Sequence, residues 1–175
     1  LYAQTPYGEY ERKNLVEKSA IQLAGQGRTK TLQPGASETV DVTVDRYLLA
    51  SYDYTKAKGY ILSAGDYYFT IGDNAHDALN NVLAAETATG MPDFDGKPVE
   101  GDAAKTYRWS YDDVDTKTYA KSDAGERVTN QFEDADANYW KDGAVTYLTR
   151  SDWKGTFPTE PVKMTATGKM IELLK

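Results

Sequence analysis

Cysteine is absent and histidine occurs once, as His76. The first absence excludes disulfides, thiolate nucleophiles and Cys-ligated metals together. The second leaves a His-based triad one candidate and would force a zinc site to take nearly all its ligands from carboxylates. Neither chemistry is expected, and the sequence assigns no metal and no cofactor. No stretch approaches the roughly 18 consecutive apolar residues of a membrane span, so no membrane partner is expected. Basic residues are in deficit, with 20 Lys and Arg against 27 Asp and Glu for a net charge of -7. No run of Lys or Arg breaks that balance. Such a chain repels a phosphate backbone, which argues against nucleic acid as a partner. Also lacking are an initiator Met and a charged-then-apolar leader at Leu1-Tyr2-Ala3-Gln4. The last residues, Met170-Ile171-Glu172-Leu173-Leu174-Lys175, form an apolar helical pattern with no stop signal. The sequence therefore reads as an internal piece of a longer polypeptide, with a cytoplasmic location favoured over a secreted one.

What is present is a globular composition, 40% hydrophobic and 12% aromatic, away from the few-aromatics signature of disorder. Residues 38–45, Glu-Thr-Val-Asp-Val-Thr-Val-Asp, alternate strictly, which predicts a strand with Val40, Val42 and Val44 inward and Thr39, Asp41 and Thr43 outward. Gln33-Pro34-Gly35-Ala36 carries type II turn chemistry and predicts a hairpin between 29–32 and 38–45. A second hairpin is expected from Gly59–Leu62 through Ser63-Ala64-Gly65-Asp66 to Tyr67–Ile71. With strands at 1–5 and 19–23, the spacing is that of an antiparallel sandwich whose first strands are missing. A helix capped by Asp73 runs to Ala85 on three-and-four spacing.

The Gly-, Pro- and Asp-rich stretch from Thr87 to Gly101 reads as a surface loop and sets a boundary. Beyond it are expected a strand at Tyr107, Trp109 and Tyr111, a helix over about 126–139 bearing Val128, Phe132 and Ala135, a strand over 145–148 and a capped helix from Thr165. The expected organisation is a β-sandwich over 1–86, an aromatic-rich α+β insertion over 87–150, and a linker and helix over 151–175.

The stretch Gly25-x-x-Arg28-Thr29-Lys30-x-Leu32-x-Pro34-Gly35-x-Ser37-x-Thr39-Val40, then Tyr52-Asp53, then Ala64-Gly65-Asp66-Tyr67-Tyr68-x-x-Ile71-Gly72, resembles the fibronectin-III-like domain of family 3 glycoside hydrolases in order and spacing. Leu48–Asp53, Asn74–Asn81 and Tyr147-Leu148-x-Arg150-Ser151-Asp152-Trp153 resemble a bacterial subgroup with an enlarged version of that domain. The likeness is strongest over 7–86 and 145–161. It implies a mainly β, fibronectin-III/immunoglobulin-like fold and a non-catalytic role beside the catalytic domains of the same polypeptide, in a parent that is a β-glucosidase. In members with reversed domain order a catalytic barrel follows this domain, and the tail 151–175 is similar to the lead into one. Apolar surfaces that would meet neighbouring domains can also drive self-association of the piece.

Ser151-Asp152-Trp153 is similar to the triplet that holds the family's nucleophile. That role needs the end of a barrel strand and a partner carboxyl about 5 Å away, whereas Asp152 follows Tyr-Leu-Thr-Arg and precedes Lys-Gly-Thr-Phe-Pro. A structural role is the expectation, and no catalytic residue is assigned. Asp134-x-Asp136-x-Asn138 begins like a calcium loop but has Tyr139 where the loop needs Gly and Val145 where it needs Glu. Asp93-x-Asp95-Gly96 and Asp112-Asp113-x-Asp115 read as solvated turns, and His76 as a surface or cap-network residue. Trp109, Tyr139 and Trp140 are the candidates for contact with a β-glucoside oligosaccharide, because aromatic faces stack on pyranose rings. Core or inter-domain packing is the competing reading, under which Trp109, Phe132, Tyr139 and Trp140 would be mostly buried.

Overall fold

The computed structural model describes residues 1–150. The Ser-Asp-Trp triplet and the helix expected from Thr165 lie outside the described residues. The architecture is mainly β and antiparallel, with few helices. The strands among the described residues are β1 (Tyr2–Gln4), β2 (Gln22–Leu23), β3 (Ser51–Asp53), β4 (Gly59–Ile61), β5 (Gly65–Thr70) and β6 (Thr106–Tyr111). Four of them form a sheet in the order β2-β1-β5-β6, and β3 pairs with β4. The α-helices among the described residues are α1 (Glu9–Asn14), α2 (Ala75–Ala85) and α3 (Ala137–Trp140).

Register sorts the larger sheet into two faces. Ala3 lies opposite Phe69 and Phe69 opposite Tyr107, while Tyr67 faces Trp109. These side chains share one face because the strand period is two. There Ala3 and Tyr67 join Ala24, Leu49 and Leu62 in the core, with Val44, Phe69, Trp109, Tyr111 and Tyr119 packed around them. The opposite face, with Gln4 and Thr70 buried, lies on the side of α2, whose Ala78 and Val82 are fully buried. β6 belongs to the 87–150 stretch yet pairs with β5 along its whole length. The main sheet thus draws strands from both sides of residue 86.

Several elements differ from the sequence reading. Residues 38–45 carry no strand ladder. The Val40 and Val42 methyls stand 2.4 Å and 2.6 Å from where Cβ atoms on Gly27 and Gly25 would be, so the two legs stack side chain on backbone instead of pairing edge to edge. The alternation survives in burial, with Val42 and Val44 half-buried, Asp41 and Thr43 exposed, and Val40 37% exposed.

β4 and β5 do not form a hairpin. The chain crosses between sheets at Leu62–Gly65, where Leu62 and Asp115 exchange two backbone hydrogen bonds of 2.9 Å. Gly65 adopts φ +126°, and a Cβ there would lie 2.9 Å from the Pro6 ring; only glycine takes that conformation without strain. The cap of α2 is Asn74, one residue past Asp73, with its side chain accepting from the Asp77 amide at 2.9 Å.

The helix expected over 126–139 is broken into a 3₁₀ turn, Glu133–Ala135, and the single turn of α3. Short polar side chains take the amides a helix would use: Asn130 accepts from Phe132 and Asp136 from Asn138. The strand expected over 145–148 does not form either. Asn138 instead clasps Val145, donating to its carbonyl and accepting from its amide, both at 2.8 Å.

Candidate functional site

Two kinds of place hold groups that could do chemistry: buried polar networks and one open groove. The strongest network starts at α1. Glu11 accepts the Gly8 amide at 2.7 Å and pairs with Lys18 at 3.3 Å, and Lys18 also donates to Pro6 carbonyl and to Ser63 Oγ. Asp53, in the Tyr52-Asp53 pair, is fully buried. It accepts from Tyr10 hydroxyl at 2.7 Å, from the amides of Thr55 and Lys56, and from Thr55 Oγ1. Burial pushes the Tyr10 phenol up to about 12, with help from its hydrogen bond to the Asp53 carboxylate. Burial also pushes the Tyr67 phenol up, and its hydroxyl donates to Ser63 carbonyl at 2.8 Å. Each of these groups spends its hydrogen bonds inside the fold.

A third network ties α2 to the loop after it. Asn80 Oδ1 accepts the Met91 amide at 2.6 Å, Asn81 Oδ1 accepts the Asp102 amide at 2.7 Å, and Asn81 Nδ2 donates to Ile71 carbonyl. His76 closes it, with Nε2 3.1 Å from Pro92 carbonyl and Nδ1 3.3 Å from Asn80 Nδ2. The sequence reading placed His76 correctly in a network but missed Asn80 and Asn81. Two amides on the buried side of an amphipathic helix are the signal that could have found them, because buried amides must find partners.

The groove, ≈ 1110 Å³, runs between the outer face of β3–β4 and the 128–149 stretch. Tyr52, Tyr54 and Tyr60 form one wall, and Val128, Phe132, Val145, Tyr147 and Leu148 supply much of the rest. Tyr52 and Tyr60 are a cross-strand pair in edge contact at 5.4 Å and 77°. The charged residues that line it, Glu17 and Asp136, are both acidic. They are engaged as well: Glu17 accepts the Arg150 amide and Asp136 accepts from the Asn138 amide and Tyr147 hydroxyl.

The three aromatic candidates do not come together as one platform. Trp109 is half-buried in the core, 5.0 Å from the Tyr67 ring and 5.5 Å from that of Tyr111, with the Arg46 guanidinium over it at 5.1 Å. Tyr139 and Trp140 sit on α3, 56% and 75% exposed, with ring planes at 74°. Phe132 is 76% exposed. Burial of Phe132, Tyr139 and Trp140 in a small satellite core is therefore not what the fold provides, because a single helical turn flanked by side-chain clasps offers no second layer to cover them. The acidic loops act as turns: Asp93 Oδ1 accepts from the Asp95 and Lys97 amides, and Asp115 Oδ1 from those of Lys117 and Thr118. Among the described residues no cluster of His and carboxylates could hold a metal ion, and no helix is long and apolar enough to cross a membrane.

Part of the chain, including β1 to β5, matches a known domain model. Residues 1–75 match the model of the fibronectin type III-like domain. Such domains occur in family 3 β-glucosidases, as the Gly25–Val40, Tyr52-Asp53 and Ala64–Gly72 motifs imply. Beta-glucosidase A of Butyrivibrio fibrisolvens is 32% identical over 80 residues, which are 44% of this chain and 9% of that protein. The chain thus aligns with a small part of its relative's length. No solved structure matches it.

Proposed function

We propose that this chain is a non-catalytic structural module of a family 3 glycoside hydrolase that cleaves β-glucosides with retention. It buttresses the catalytic domains of the same polypeptide. The fibronectin type III-like match over residues 1–75 carries the reading, and the partial similarity to a β-glucosidase supports a parent of that activity. Two features of the fold support it. The buried carboxylates Glu11 and Asp53 are committed to structural hydrogen bonds, whereas a retaining glycosidase needs two carboxyls about 5 Å apart in a cleft. The exposed apolar residues Leu15, Tyr54, Phe132, Val145, Tyr147 and Leu148 converge on one groove, and contiguous apolar surface of this kind suits a contact with a neighbouring domain. A carbohydrate-binding role through Trp109, Tyr139 and Trp140 has less support, since Trp109 packs in the core and the other two rings stand edge to face.

The test is a titration of cellobiose and laminaribiose against the chain, followed by tryptophan fluorescence, beside stability measurements on the full-length polypeptide carrying Phe132→Asp. The expected results are no saturable quenching at millimolar sugar and a lowered unfolding temperature of the full-length variant. Saturable quenching lost on Trp140→Ala would replace the structural role with a binding one.

A further inference from the structure

Two carboxylates, Glu17 and Asp136, line the tyrosine groove, and no basic side chain lines it with them among the described residues. Their hydrogen bonds come from neutral donors. Glu17 accepts from the Arg150 amide and the Tyr7 hydroxyl, and Asp136 from the Asn138 amide and the Tyr147 hydroxyl. A carboxylate offers about four lone-pair positions, so each keeps acceptor capacity as well as its charge. Both charges reach one ring: burial raises the Tyr54 phenol first, and the Asp136 and Glu17 carboxylates raise it further. The arginines at the two ends of the 127–150 stretch are turned elsewhere, Arg127 donating to the Ala57 and Lys58 carbonyls and Arg150 standing over the Tyr7 ring at 4.8 Å. Lys58 and Arg127 line an adjoining hollow that meets the groove at Asp136.

We infer that this groove receives an arginine side chain presented on an apolar segment of a partner surface. The inference rests on the reading of the groove as a contact surface and adds the chemistry of what it meets. Charge complementarity chooses a cation, because covering Glu17 and Asp136 with an apolar surface alone would strand two charges. The aromatic walls choose arginine over lysine. A guanidinium stacks on ring faces and still meets a carboxylate with its fork of donors, whereas an ammonium is a compact, strongly hydrated charge. Tyr54 and Tyr147 are 46% and 49% exposed, so their rings are open to such a contact. The groove, ≈ 1110 Å³, is larger than one side chain and leaves room for apolar neighbours of the arginine against Leu15, Val145 and Leu148.

Tyrosine-ring NMR shifts of the chain test it, in titrations with acetyl-Leu-Arg-Leu-amide and with the same peptide carrying citrulline for arginine. Citrulline keeps the shape and removes the charge. The expected result is saturable movement of the Tyr54 and Tyr147 resonances by the arginine peptide, and binding of the citrulline peptide weaker by roughly 10-fold or more. Asp136→Asn combined with Glu17→Gln keeps oxygen acceptors for the Asn138 and Arg150 amides while removing both charges. That double variant should lose the preference for arginine with its unfolding temperature little changed. Equal binding of the two peptides by the unaltered chain would overturn the inference, as would no binding of either, or a preference that survives in the double variant. Cleavage of β-glucosides by the full-length protein is a separate readout. Its absence would refute the proposed parent and leave the peptide result standing, and a failed peptide titration would leave the parent activity untouched.

Discussion

Lys18 Nζ lies 3.3 Å from Glu11 Oε1 and 2.6 Å from Ser63 Oγ, with both charged side chains 3% exposed. Burial pushes the Lys18 amine down despite its partner. For Glu11, burial pushes the carboxyl up, but the Ser63 hydrogen bond, the Lys18 charge and the Gly8 amide outweigh it and hold it below the usual value. The pair pins the end of α1 to the crossover at Ser63. Removing one partner strands the other without water, which costs about 3–5 kcal/mol, whereas replacing both by apolar groups is close to neutral. Lys18→Met should therefore lower the urea midpoint sharply, and Glu11→Leu with Lys18→Met should recover most of the loss.

The acid limit follows from two carboxylates. Asp53, like Glu11, is pushed up by burial and held lower by a larger set of donors, the Lys56 amide, Tyr10 hydroxyl, Ala57 amide and Thr55 side chain. Both folded values lie below the ordinary 4.5 and 3.8. Their contribution is thus fully present above those ordinary values and is lost as pH falls through the lower folded ones. Urea midpoints measured from roughly pH 6 down to 2 should fall on the acid side. Tyr10→Phe and Asp53→Asn should each flatten that fall, and an unchanged slope in both would remove Asp53 from the account of acid stability.

The aromatics separate by layer. Trp109→Ala opens the core beside Tyr67 and should cost on the order of 3–5 kcal/mol. Trp140→Ala should stay within about 0.5 kcal/mol in the chain, because its ring is mostly exposed. Equal losses for the two would mean that α3 is covered.

The elements with local signals were legible: β1, β6 and α2 lie within about a residue of the spans their patterns predict, while β5 starts two residues early, at Gly65 inside the predicted turn. What failed was pairing. Tyr67–Ile71 looked like the second arm of a hairpin, but the Gly65 conformation and the Leu62–Asp115 bridge send it to a different sheet, and neither is a property of neighbouring residues in sequence. The 126–148 stretch misled for a local reason, since Asn130, Asp136 and Asn138 compete for backbone groups that a helix or strand would use. Of the candidate site, Trp109 was found as an inward aromatic. The tyrosine groove was not, because its walls come from segments about 80 residues apart.

The amide clamps give an independent check on how the loop after α2 is held. Asn81→Ala would leave Ile71 carbonyl and the Asp102 amide without their partner, at about 1–3 kcal/mol for each group that stays buried. Chemical denaturation should show that loss, and proteolysis should cut sooner within 91–102.

The most direct measurement is hydrolysis of p-nitrophenyl β-glucoside by the chain and by the full-length polypeptide, side by side. The expected result is turnover by the full-length protein and none by the chain, with or without Asp152→Asn. Turnover by the chain that disappears in Asp152→Asn, or a full-length protein without β-glucosidase activity, would contradict a non-catalytic module of a β-glucosidase.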